Sequence, residues 1–300
     1  MRILLTGKNG MVGWELNRSL LPLGEVIALD RLDANFSKPE SLRKLVQDIK
    51  PDVVVNAAAY TAVDKAEEEE ELATRINGIA PGVLAEEAKH CGALLVHYST
   101  DYVFDGSKDS HYVETDIPNP INAYGRSKLK GEQAIQSSGA DYLIFRTSWV
   151  YASRGNNFLL TMLRLMQERE VLKVVADQVG APTWARTIAD TTAHCICNAQ
   201  QERKETCFDS SIYNLTNTGE ISWHGFTEKI AEYAQQVIPG NKLKVKRIEK
   251  INTEEYPTPA TRPMNSRLSG VKLKEKYQLC LPELDQALSL CVADTLENER

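Results

Sequence analysis

Tyr124-Gly125-Arg126-Ser127-Lys128 sets a phenol and an amine four residues apart. On a helix that spacing puts both side chains on one face. An ammonium beside a phenol favours the phenolate and lowers the tyrosine pKa from its reference of about 10. Such a tyrosine can exchange a proton with an alcohol or carbonyl oxygen near neutral pH. The same spacing also arises by chance on amphipathic surface helices. Ser99-Thr100-Asp101 strengthens it, because these residues close the apolar run that starts at Leu94. Ligands of doubly wound sheets sit outside the carboxyl ends of the strands. A hydroxyl at Thr100 could there bond the same oxygen that the tyrosine protonates. The bland alternative for Thr100 is a loop cap.

A second constellation lies at the start of the chain. Gly7-Lys8-Asn9-Gly10-Met11-Val12-Gly13 follows one apolar run and precedes an amphipathic segment. Glycines at that place permit a tight turn and let backbone N–H groups approach a pyrophosphate, with the helix N-terminus adding a favourable field. Asp30 ends the next apolar run, where a carboxylate can accept from ribose hydroxyls and favour NADH. Arg31 follows at once and could attract the 2′-phosphate of NADPH, so both cofactors stay open. Asn56-Ala57-Ala58-Ala59 offers small side chains against which a dinucleotide could lie.

These residues need strands that end side by side. Arg2–Thr6, Val26–Leu29, Asp52–Asn56, Leu94–Ser99 and Tyr142–Thr147 read as strands, with helical patterns between them. That alternation predicts an α/β fold, a Rossmann-type doubly wound parallel sheet. The rhythm changes after Trp149. We expect a dinucleotide-binding domain over 1–150 and a smaller, mainly substrate-binding domain over 151–300. Segments within about 172–220 are expected to return to the main sheet, Leu172–Ala176 and Ile212–Leu215 being the strand candidates. Tyr256–Arg267, with three prolines, reads as a loop that carries function. The acidic run Glu67–Glu71 reads as a solvated helix face.

A net charge of -6 argues against a nucleic-acid footprint. No stretch approaches the roughly 20 apolar residues of a membrane helix, and the N-terminus lacks a signal-peptide pattern. A cytoplasmic protein with no membrane partner is expected. The six cysteines show no CxxC spacing and are expected as reduced, buried thiols.

Taken together, the glycine loop, Asn56–Ala59, the segment from Ser99 to Gly106 and Tyr124–Lys128 resemble the extended short-chain dehydrogenase/reductase family. Ala59–Glu67, Arg146–Tyr151, Asp177–Thr183 and Arg262–Leu268 are similar to its dTDP-4-dehydrorhamnose reductase branch. The resemblance implies a catalytic set of Thr100, Tyr124 and Lys128. It implies cofactor contacts at Gly10, Met11, Val12, Asp30, Ala59, Tyr60 and Thr61, and sugar-nucleotide contacts at Thr100, Asp101 and Trp149. It further implies reduction of dTDP-4-dehydro-L-rhamnose with NADPH or NADH, in the supply of dTDP-L-rhamnose for cell-surface polysaccharide. A homodimer is compatible with it. Some members bind magnesium between subunits through glutamates. Glu15 fits one such ligand, but Arg186 stands where another would be, so no metal is expected. Arg262, and Lys244 or Lys246, could meet a diphosphate. For the two lysines a solvated surface is the stronger reading.

Two rivals share the fold. One is an epimerase or dehydratase that recycles a tightly held cofactor. A dehydratase would want a glutamate next to Asp101, and Tyr102 stands there. The other is a regulatory subunit that binds cofactor without catalysis, against which the Thr–Tyr–Lys set argues.

Overall fold

Runs such as Val53-Val54-Val55 are apolar at every position, and such strands must be covered on both faces. The structure, a computed structural model, describes residues 1–237 and 243–297. Five of its strands are β1 (Arg2–Thr6), β2 (Glu25–Leu29), β3 (Val53–Asn56), β4 (Leu94–Thr100) and β5 (Asp141–Thr147). They join Ser211–Asn214 in a six-stranded sheet, ordered Ser211–Asn214, β5, β4, β3, β1, β2. Every pairing in it is parallel. The order reverses at β1, which lies between β2 and β3. The crevice at such a reversal is where ligands bind in open α/β sheets.

The two faces carry different helices. Leu5, Val55, Val96 and Phe145 pack in a core with Leu16, Ile188 and Ile196, from the helices Met11–Ser19 and Ala185–Lys204. Leu4, Val54, Leu95 and Ile144 pack with Val46, Leu84 and Ile135, from the helices Ser41–Ile49, Ala80–Cys91 and Ala123–Ser138. A further core, with Leu163, Trp184, Phe226, Ile230 and Leu288, lies outside the sheet.

The later segments divide differently from the sequence pattern. Ser211–Asn214 extends the sheet beyond β5. Val171–Val175 does not join it. That strand pairs with Arg247–Ile251 in a separate two-stranded parallel ladder. Its apolar residues Leu172 and Val174 face the outlying core, and strand type alone could not tell one sheet from another.

Glu70–Thr74 runs through a π turn, Arg75–Ile79, into Ala80–Cys91, with Pro81 in the first turn of the last piece. All six cysteines are free, but Cys91, Cys197, Cys207 and Cys280 are exposed, contrary to the buried thiols expected. Among the described residues no helix is long and apolar enough to cross a membrane, and no cluster of side chains is arranged to hold a metal ion. Arg186 instead pairs with Glu15 at 3.3 Å and with Asp294 at 3.1 Å.

Candidate active site

The glycine loop is built from contacts only glycine allows. Gly7 has φ +79°, and a Cβ there would meet the Ala57 carbonyl carbon at 2.7 Å. A Cβ on Gly13 would strike the Gly7 carbonyl oxygen. Gly10 differs, since a Cβ there meets nothing in the protein nearer than 3.4 Å. Gly10 caps the helix Met11–Ser19 without any side-chain hydrogen bond. The first-turn N–H groups of Met11, Val12 and Gly13 therefore lack a side-chain cap and suit an anion.

A cleft of about 690 Å³ opens on this loop. Gly7, Gly10, Asp30, Arg31, Ala59 and Tyr60 line it, as do Asn9, Phe36 and Ser37. Met11, Val12, Gly13 and Thr61 are not among its lining side chains. The Asp30 carboxylate accepts from Leu32 N–H at 2.9 Å and from Asn9 Nδ2 at 3.3 Å. The Leu32 bond, ahead of nearby Lys8, holds its pKa below the usual carboxylate value. Asp30 thus closes its own turn while still facing the cleft. Arg31 is exposed at the rim.

Asn77 anchors the other wall. Its Oδ1 accepts from Tyr60 N–H at 2.8 Å, and its Nδ2 donates to the Tyr60 carbonyl at 2.9 Å and to Ser127 Oγ at 3.0 Å. One side chain in the π turn therefore ties the Ala57–Tyr60 segment to the helix that carries Tyr124. A π turn is a frequent mark of functional sites, but nothing in Arg75-Ile76-Asn77-Gly78 announces it.

The helix Ala123–Ser138 is capped by Asn122, whose Oδ1 accepts from Gly125 N–H at 2.8 Å. The acidic run is not simply a solvated face. Glu67 accepts from Ala123 N–H at 2.8 Å, Glu69 from the Tyr60 hydroxyl at 2.7 Å, and Glu70 holds Arg126 by two hydrogen bonds. Three of these acids clamp the helix and the cleft wall together.

At the end of β4, Thr100 Oγ1 donates to Asp101 Oδ1 at 2.9 Å and accepts from Tyr102 N–H at 3.2 Å. Asp101 is buried and its Oδ2 has no protein partner. Burial pushes its pKa up to about 6, with the nearby Ser266 and Thr100 hydroxyls opposing. Tyr124 meets Tyr102 edge-on at 5.8 Å between ring centroids. Burial and then the Asp101 charge push the Tyr124 phenol well above its usual pKa, with the Thr100 hydroxyl opposing. The depression expected from Lys128 is absent from this arrangement. Lys128 is buried, and its Nζ donates to the Tyr98 carbonyl at 2.5 Å and lies 3.2 Å from His97 Nε2. Burial pushes the lysine down to about 8. The four-residue spacing aligned the side chains, but a carbonyl of β4 holds the amine.

A second cleft, of about 520 Å³, includes Asp64, Tyr102, Phe158, Trp223, Tyr256 and Arg262 in its wall. The short helix Val63–Ala66 lines both clefts, Lys65 the first and Asp64 the second. Trp149 does not line it. Its ring stacks on Trp223 with centroids 3.5 Å apart, and its backbone has φ +48°. Trp223 is the tryptophan of that wall. Arg262 is in place but already bonded to Asp64. Lys246 pairs with Glu170 on the surface.

The family model described as RmlD substrate binding domain matches residues 1–297. A dTDP-4-dehydrorhamnose reductase of Burkholderia thailandensis is 55% identical over 296 residues, covering 99% of each chain. One from Salmonella typhimurium is 47% identical over 94% of each chain. The crystal structure of dTDP-4-dehydrorhamnose reductase from Bacillus anthracis in complex with NADP superposes with a TM-score of 0.87 at 36% identity, over 98% of this chain and 99% of that one. These matches place the chain in the dTDP-4-dehydrorhamnose reductase family.

Proposed function

We propose that this chain reduces dTDP-4-dehydro-L-rhamnose to dTDP-L-rhamnose, with NADPH or NADH held in the 690 Å³ cleft. The observation that carries the reading is one short helix, Val63–Ala66, that lines both clefts, with Tyr102, the ring partner of Tyr124, in the wall of the second. One suits a dinucleotide and the other is an aromatic-walled slot with an arginine. When bound, the cofactor supplies the hydride that goes to C4 of the keto sugar. Gly7, Gly10 and Gly13, with the N–H groups of Met11 and Val12, would hold its pyrophosphate. Asp30 and Arg31 would face its adenosine ribose, and Ala59, Tyr60 and Thr61 would border its path toward the sheet edge.

Tyr124 is a neutral phenol in the resting site, which is the form a reduction needs. Its Oη donates a proton to the sugar carbonyl oxygen as charge develops there. Thr100 Oγ1 can turn from Asp101 to the same oxygen and stabilise that charge. Lys128 lowers the cost of the departing proton once it is charged. Asp101 and Arg262 are assigned to the sugar nucleotide. Trp149 is assigned to it through Trp223, which it supports from behind. The same chain is proposed to work in the cytoplasm, with a homodimer compatible with the fold.

The test is oxidation of NADPH and of NADH with a panel of 4-keto sugar nucleotides. Reduction of the dTDP-4-keto-deoxyhexose with consumption of one cofactor per sugar is expected. An unchanged cofactor alongside a converted sugar would point to an epimerase or dehydratase.

A further inference from the structure

Thr6, Asn56 and His97 are in-register neighbours on β1, β3 and β4. Their side chains therefore leave the sheet on one face. Thr6 Oγ1 donates to Asn56 Oδ1 at 2.8 Å, and Ala58 N–H donates to the same oxygen at 3.2 Å. A backbone N–H can only donate, so that atom is the amide oxygen and the other end of Asn56 is the NH₂. This NH₂ lies 3.0 Å from His97 Nδ1, which must accept. A neutral imidazole that accepts at Nδ1 carries its proton on Nε2. His97 is neutral, because burial holds its pKa well below the usual value. Its Nε2–H points at Lys128 Nζ, 3.2 Å away. An ammonium has three donors and no acceptor. The contact is a hydrogen bond only when Lys128 is an amine, which can still donate to the Tyr98 carbonyl.

We propose that His97 is a positioning residue: locked by Asn56 as the Nε2–H tautomer, it donates to Lys128 Nζ and holds that lysine as a neutral amine in the cofactor-free protein. Lys128 must then take up a proton before it can act as a charge beside Tyr124. Burial of the lysine works in the same direction. The groups around it oppose this weakly. Glu132, one turn on in the same helix, favours the ammonium, but it is bound by two hydrogen bonds to Arg146 of β5. Asp101, at the end of β4, acts on Tyr124. The π turn presents the neutral Asn77. The importance of Lys128 rests on the reductase reading, whereas the tautomer does not.

Two measurements test this. The chain has five histidines, so ¹⁵N-histidine labelling gives a short spectrum in which His97 is assigned by its loss in His97→Gln. In the cofactor-free protein at neutral pH, Nδ1 should resonate as a pyridine-type nitrogen and Nε2 as a pyrrole-type one. The reverse pattern, or an imidazolium, overturns the proposal. The second measurement is the pH profile of kcat/KM for the cofactor. The glutamine amide can turn its oxygen to Lys128 and accept from an ammonium. The basic limb should therefore move up by about one pH unit in His97→Gln. A purely structural role would lower kcat/KM at every pH and leave the limb in place, which would also overturn it. Absence of reductase activity in the unmodified protein would defeat the functional reading and leave the tautomer result standing.

Discussion

The Arg262 guanidinium holds the Asp64 carboxylate through two hydrogen bonds of 2.6 and 2.7 Å. Asp64 belongs to the short helix that lines both clefts, and Arg262 to the prolyl loop that borders the second. The pair joins segments almost two hundred residues apart. Asp64 remains 43% exposed, so solvent screens the pair and its net worth is about 1 kcal/mol or less. A diphosphate, with more charge and several acceptor oxygens, can displace the carboxylate. Arg262→Ala should raise KM for the dTDP-sugar by about 10-fold to 100-fold, from loss of charged hydrogen bonds worth about 1.5–3 kcal/mol. Cofactor affinity should hold. Isothermal titration with cofactor, beside steady-state KM for the sugar, separates the two effects. Equal losses in both would mean that the arginine only braces the fold.

Gly10 and Gly7 should part company on substitution. A Cβ on Gly7 would collide with the Ala57 backbone at a φ that other residues avoid. Gly7→Ala should therefore destabilise the protein. A Cβ on Gly10 comes no nearer than 3.4 Å to a protein atom, so Gly10→Val should fold with near-normal thermal stability and lose NADPH affinity by tenfold or more. Fluorescence titration reads the affinity and a melting curve reads the fold. Unchanged affinity in Gly10→Val would leave this loop as a turn only.

Asp101 makes stability depend on pH. Its folded pKa is raised from 3.8 to about 6, because burial penalises the carboxylate. A raised pKa means that the stabilising contribution is fully present below about 4 and lost as pH rises through about 6. The size is about 3 kcal/mol between those limits, at 1.36 kcal/mol per unit. Asp101→Asn cannot ionise there. Denaturant unfolding of both proteins at several pH values should show the unmodified chain losing up to that amount relative to the variant across this window. Parallel curves would show that Asp101 titrates normally.

Much of the fold was legible because it is local. Each strand of the first half is a short apolar run, and the glycine loop sits directly between β1 and its helix. Thr100, Tyr124 and Lys128 lie at a strand end and on one helix face, which spacing can show. Contacts between distant segments were not legible. Val171–Val175 has the composition of a sheet strand, and only its pairing with Arg247–Ile251 removes it from the main sheet. Trp149 meets Trp223 across 74 residues of chain. The acids after Ala66 read as solvated because their partners, Ala123, Tyr60 and Arg126, come from other elements. His97 was hidden as one polar residue within β4. Its pattern, a polar residue following apolar ones at the same sheet level as Asn56 and Thr6, emerges only once the register is known.

Arg31 is proposed to govern cofactor choice in this site. It is exposed on the rim of the first cleft, and its planar fork suits a 2′-phosphate. Asp30 repels that phosphate, while Asn9 and Leu32 N–H already share its charge. Both cofactors should be accepted. Arg31→Ala should lower kcat/KM for NADPH by about 10-fold, the scale of one charged hydrogen bond, and leave NADH nearly unchanged. The ratio of the two constants at fixed ionic strength is the readout. An unmoved ratio would place the arginine in solvent and leave Lys8 as the cation to examine.

Tyr124→Phe tests the proton donor itself. The change removes only the hydroxyl of a side chain packed against Tyr102, so the protein should fold and bind NADPH as before. With dTDP-4-dehydro-L-rhamnose in excess, the rate of NADPH oxidation should fall by roughly 10²–10⁴, the range for loss of a general acid. The unmodified protein, in the same assay, should consume one NADPH for each sugar reduced. Near-normal turnover by Tyr124→Phe would contradict the assignment of Tyr124 as the acid.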